Sequence, residues 1–127
     1  MTEAEIEAAL RGVAPSPAAV FDALLRAWLA RPGGARIVEK TPVHIRHIDE
    51  IMAWWPDAQV VWVLRDARAC VSSLLRVTWA AGDPTVLARQ WNRNVAFALA
   101  AERRYGDRML RVRYEELVAD PEAGMRR

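Results

Sequence analysis

The run Gln59-Val60-Val61-Trp62-Val63-Leu64 ends abruptly in Arg65-Asp66, and a helix-forming segment starts at Ala67. A short, uninterrupted apolar run with β-branched residues reads as a buried strand. A strand that feeds straight into a helix is half of a βαβ unit and restricts the chain to an α/β layer fold. In such sheets ligands gather outside the carboxyl ends of the strands. Arg65 stands at that edge beside a helix N-terminus, where a guanidinium is suited to hold a phosphate.

The remaining elements follow from local chemistry. Thr2 and Glu5 form a T-x-x-E capping box that opens a short helix through Leu10. Ser16-Pro17 starts a second helix with Val20, Phe21, Leu24, Leu25 and Trp28 as its apolar stripe, and Pro32-Gly33-Gly34 ends it. Arg36 to Lys40, with Ile37 and Val38, reads as a short buried strand. Thr41-Pro42 starts a third helix with Ile45, Ile48, Met52 and Trp55 on one face. The helix after Arg65 runs from Ala67 to Val77, its core face drawn through Val71, Leu74, Leu75 and Thr78, with Ser73 off that face. Asp83-Pro84 opens a long helix that Tyr105-Gly106 stops. Met109 to Tyr114 alternates as a strand, and Asp120-Pro121 opens a last helix. Strands alternating with helices predict a three-layer α/β/α arrangement around a short parallel sheet of three strands.

With 127 residues the chain has length for one small domain and one core. A net charge of +2, with acids and bases interspersed, leaves no nucleic-acid stripe. The single cysteine, Cys70, excludes an internal disulfide and a multi-cysteine zinc site. No run approaches the roughly 20 apolar residues that span a bilayer. The N-terminus is acidic at Glu3, Glu5 and Glu7, unlike a signal peptide, so the expected location is cytoplasmic. His44 and His47 lack further ligands at metal spacing, so no metal is expected.

Four motifs then occur in order. They are Glu39-Lys40-Thr41-Pro42-Val43-His44, Trp55-Pro56-Asp57-Ala58, Val63-Leu64-Arg65-Asp66-Ala67-Arg68 with Ser73, and Val112-Arg113-Tyr114-Glu115-Glu116-Leu117 followed by Asp120-Pro121-Glu122. Together they resemble the sulfotransferase family, which uses 3′-phosphoadenosine 5′-phosphosulfate (PAPS) as sulfuryl donor. The resemblance is to the bacterial members and the tyrosylprotein-type branch more than to the cytosolic steroid and phenol enzymes. It implies a P-loop-NTPase-like core. It also implies a division into a helical lead-in, residues 1–34, and a core with the nucleotide 3′-phosphate site, residues 35–127.

The resemblance assigns roles to matching positions. Arg65 and Ser73 match the pair that binds the 3′-phosphate of the donor, through an arginine fork and a hydroxyl donor. Tyr114 matches a tyrosine near the nucleotide, its other reading being a core aromatic at a strand end. Lys40 matches a lysine near the transferred group, where an ammonium stabilises charge building on the leaving oxygen. The cytosolic branch carries a histidine at the position of Pro42. His44, two residues on, is the candidate base here, and a surface role for His44 and His47 stays open beside it.

The family's phosphosulfate-binding loop has no match before Arg36, so the expected object is a core fragment, incomplete at both ends and weakly active or inactive alone. Its expected partner is a small-molecule or peptide acceptor, with no nucleic acid and no membrane span, and with self-association left open. The competing reading is a non-catalytic α/β remnant that serves as a protein-interaction module. A nucleotide-kinase reading fails because no G-x-x-x-x-G-K-[ST] occurs.

Overall fold

A reciprocal capping box opens the chain. The Thr2 hydroxyl accepts from the Glu5 N–H at 3.3 Å and Glu5 Oε2 accepts from the Thr2 N–H at 2.7 Å, which starts α1 (Glu3–Leu10). The computed structural model describes residues 1–29, 36–80 and 82–126, in two compact units, Met1–Lys40 and Thr41–Arg127. In the first unit α2 (Pro17–Leu29) begins where Ser16 Oγ accepts from the Ala19 N–H at 3.2 Å, and α1 packs on α2. An Asp22–Arg26 pair at 2.7 Å, one turn apart, braces α2. The expected stop at Pro32-Gly33-Gly34 lies outside the described residues.

The strand expected over Arg36–Lys40 does not form; that segment has no regular secondary structure and Val38 is 88% exposed. A strand exists only where its backbone groups find a ladder, and two β-branched residues in five do not provide one. Among the described residues the sheet therefore has two strands, not three.

In the second unit a 3-10 turn (Pro42–His47) leads into α3 (Ile48–Trp54), so the third helix starts in the tighter form. β1 (Val60–Leu64) follows, then α4 (Ala67–Leu74) and α5 (Pro84–Tyr105), a 3-10 turn (Gly106–Arg108), β2 (Met109–Arg113), α6 (Tyr114–Ala119) and α7 (Pro121–Met125). The strands pair in parallel, Val60 with Met109 through Leu64 with Arg113. Parallel strands need a crossover, and α4 with α5 supplies it. The result is a helix-rich α/β fold around a short parallel sheet.

Two sets of side-chain ties lie outside the ladder. Arg108 donates from Nε to the Ala58 carbonyl at 3.1 Å and from Nη2 to the Trp55 carbonyl at 3.0 Å, tying the entry of β2 to the entry of β1. At the end of α5, Tyr105 donates to Asp49 Oδ1 at 2.5 Å and Arg104 reaches Asp49 Oδ2 at 3.2 Å, which fastens α5 to α3. Between these ties lies the core of Ile48, Met52, Ala101 and Met109, with Val60 and Trp62 of β1 packed against it.

Burial departs from the sequence pattern in two places. In β2 the buried residues are Met109 and Val112, whereas Leu110, and Tyr114 just past the strand, are exposed. In α4 the half-buried set is Ala67, Ala69, Cys70, Val71, Ser73 and Leu74, while Leu75 is 43% exposed beyond the helix end. Among the described residues no helix is long and apolar enough to cross a membrane.

Candidate functional site at the carboxyl edge of the sheet

Because the two strands run in parallel and end in register at Leu64 and Arg113, the next residues of each emerge side by side. Those residues are Arg65 and Tyr114. The guanidinium carbon of Arg65 lies 4.5 Å from the centroid of the Tyr114 ring. A cation in contact with an aromatic face is attracted by the ring quadrupole, which favours this placement of the planar fork.

Other cations near this edge are already paired. Arg68 grips Asp66 bidentately at 3.1 and 3.0 Å, Arg111 pairs with Glu102 at 3.4 Å, and Arg113 lies 3.6 Å from Glu116. Among the described residues Arg65 has no carboxylate within ion-pair distance. Its charge is thus not neutralised by a direct partner, and its fork remains open to a bidentate anion.

The helix N-terminus beside Arg65 is not open in the same way. Asp66 caps α4, its Oδ1 accepting from the Arg68 N–H at 2.9 Å and the Ala69 N–H at 3.3 Å. The bidentate bond from Arg68, with those N–H groups, holds the Asp66 carboxyl down at about 2. The side chain of Arg65, rather than the first turn of α4, is what the edge offers to an anion.

Ser73 lies two turns along α4, about 9 Å from its start at 1.5 Å per residue. It is half-buried, on the flank of the helix that also carries Ala69, and its hydroxyl has no hydrogen-bond partner among the described residues. Arg65 and Tyr114 are therefore brought into contact, and Ser73 stands on the helix that leaves Arg65. Cys70 sits between them, its Sγ 3.9 Å from the Arg65 carbonyl oxygen. Burial pushes its thiol up, against the opposing pull of Arg65, so it is a packing thiol.

His44 is half-buried in the 3-10 turn, its backbone N–H donating to the Thr41 carbonyl at 3.0 Å. The turn is pinned to α5 by Arg46, which donates to Asn94 Oδ1 at 2.9 Å. His47 is exposed, with Nδ1 3.7 Å from Glu50 Oε1. Lys40 is exposed at the end of the first unit. Among the described residues no group of three or more His, Cys, Asp or Glu side chains is arranged to hold a metal ion.

One residue of the edge escapes a reading of the sequence. Glu115 Oε1 accepts from the Asp66 backbone N–H at 2.9 Å, across 49 positions of chain. The available signal was the Glu115-Glu116 pair, which marks a helix start at Tyr114 rather than a strand running through it.

A model of the sulfotransferase family matches residues 4–127. The chain belongs to the sulfotransferase family. No curated protein and no solved structure matches it. Membership makes sulfuryl transfer the chemistry of the family, and the sulfotransferase match runs through both strand ends, with Arg65, Ser73 and Tyr114 inside it.

Proposed function

We propose that this sulfotransferase chain binds PAPS at the carboxyl edge of its sheet and serves the transfer of its sulfuryl group to an acceptor hydroxyl or amine, adenosine 3′,5′-bisphosphate being the leaving group. The observation that carries the reading is the open, oriented fork of Arg65 on the Tyr114 ring. Arg65 would take the 3′-phosphate through paired N–H donors, with Ser73 adding a hydroxyl donor. In the transfer the acceptor oxygen or nitrogen bonds to sulfur as the bond to the bridging phosphate oxygen breaks. Lys40 is assigned to offset the charge that gathers on that oxygen, and His44 to accept the acceptor's proton. The Lys40 assignment rests on family resemblance; His44 lies two residues past the position of the family histidine, which is Pro42 here, and is assigned on its imidazole chemistry.

The test is competition for labelled PAPS held by the purified chain. Adenosine 3′,5′-bisphosphate should displace the label at lower concentration than adenosine 5′-phosphate, because only the first carries the group assigned to Arg65. Equal displacement by both, or no retention of label by folded protein, would count against the reading.

One observation favours a second reading, a protein-interaction module. Val61 and Val63 of β1 are 63% and 49% exposed, and Leu110, the partner of Val61, is exposed beside them. An open apolar sheet face favours association. Concentration-dependent self-association together with absence of nucleotide binding would support this reading over the first.

A further inference from the structure

The two residues that follow β2 hold the two residues that follow β1. The Tyr114 ring carries the Arg65 guanidinium at 4.5 Å, and Glu115 Oε1 accepts from the Asp66 N–H at 2.9 Å. Between these contacts lies the Arg65–Asp66 peptide, the link through which the Arg65 side chain is aimed. Asp66 is itself fixed on its far side, because its carboxylate caps α4. Without Glu115 the amide of Asp66 would have no partner in the ladder, since the last paired residue of β1 is Leu64.

We infer that Glu115 is a positioning residue for anion binding, acting through the Arg65–Asp66 peptide to hold the Arg65 fork against Tyr114. The inference rests on the proposed 3′-phosphate role of Arg65. Glu115 makes no ion pair with Arg65, so its charge does not cancel the guanidinium by direct contact. Its carboxylate still lowers the local positive potential. A positioning role and a purely electrostatic one therefore predict opposite signs. Removing a nearby carboxylate without moving Arg65 tightens anion binding, whereas releasing the peptide weakens it.

Glu115→Ala and Glu115→Gln separate the two. Glutamine keeps a carbonyl oxygen that can accept from the Asp66 N–H, and it drops the charge. The readout is the ratio of dissociation constants for adenosine 5′-phosphate and adenosine 3′,5′-bisphosphate, measured by calorimetry on the full chain. Glu115→Ala should cut that ratio by about tenfold or more, the size of a charged hydrogen bond losing its geometry. Glu115→Gln should keep or raise it. A ratio that is unchanged or raised in Glu115→Ala would overturn the inference.

Two nuclear magnetic resonance signals report on the positioning without nucleotide. Glu115→Ala should speed exchange of the Asp66 amide and move the Arg65 δ protons out of the ring-current field of Tyr114, and Glu115→Gln should do neither. If the wild-type chain binds both nucleotides equally, the 3′-phosphate reading fails on its own. These signals then decide the positioning of Arg65 separately: no change in Glu115→Ala contradicts it, and the change just described upholds it.

Discussion

The Arg65 guanidinium rests on the face of Tyr114, 4.5 Å from the ring centroid, because two parallel strands end in the same register. The contact uses the ring and not the hydroxyl. Tyr114→Phe should therefore leave nucleotide binding within about twofold, and Tyr114→Ala should weaken it by about 0.5–1 kcal/mol, the scale of a cation–π contact at an exposed site. Calorimetry on both variants checks this. A large loss in Tyr114→Phe would mean that the phenol oxygen, and not the ring, serves the ligand.

Asp66 makes stability depend on acid. Its folded carboxyl titrates at about 2, below the ordinary value of 3.8, chiefly through the bond from Arg68. Between those two values the unfolded chain binds the proton more readily, so stability falls as pH falls through that window. The contribution is complete above about pH 4 and lost near pH 2. The carboxyl of Glu115, held low mainly by the Asp66 N–H, titrates in the same sense. Urea midpoints for wild type and Asp66→Ala should differ by a constant amount from pH 7 to 5 and converge below pH 4. A gap that persists undiminished at pH 2.5 would contradict the assignment.

Gly106 ends α5 with φ +48° and ψ −116°, and a Cβ there would meet nothing within 4 Å. The cost of a side chain is then purely one of backbone conformation. Gly106→Ala should destabilise the protein by about 1–3 kcal/mol, the penalty of a positive φ in this mirror-β region for a residue with a Cβ. Thermal unfolding measures it. An unchanged melting temperature would show that this turn relaxes to a negative φ.

Much of this architecture is legible in the residues themselves. Asp83-Pro84 and Gly106 delimit α5, and the Thr2–Glu5 box starts α1, because caps are local chemistry. β1 and the start of the helix after Arg65 are legible from the apolar β-branched run that ends abruptly at Arg65-Asp66, although that helix stops at Leu74 rather than Val77. What escapes is non-local. Arg36–Lys40 has strand-forming residues and no ladder. The alternation of β2 runs on into Tyr114, yet the chain turns helical there and places the ring beneath Arg65. The bond from Asp66 to Glu115 joins residues 49 positions apart and has no sequence period to announce it. Of the candidate site, the contiguous motif around Arg65 was legible, and the contacts that hold it in place were not.

The most direct test of the account is a calorimetric comparison of adenosine 3′,5′-bisphosphate with adenosine 5′-phosphate on wild type and Arg65→Ala. The wild-type chain should prefer the bisphosphate. Arg65→Ala should lose that preference by about 1.5–3 kcal/mol, as for a charged hydrogen bond, while its affinity for adenosine 5′-phosphate stays near wild type. A wild-type chain that binds the two nucleotides equally, or a preference that survives in Arg65→Ala, would contradict the assignment of this edge to the 3′-phosphate.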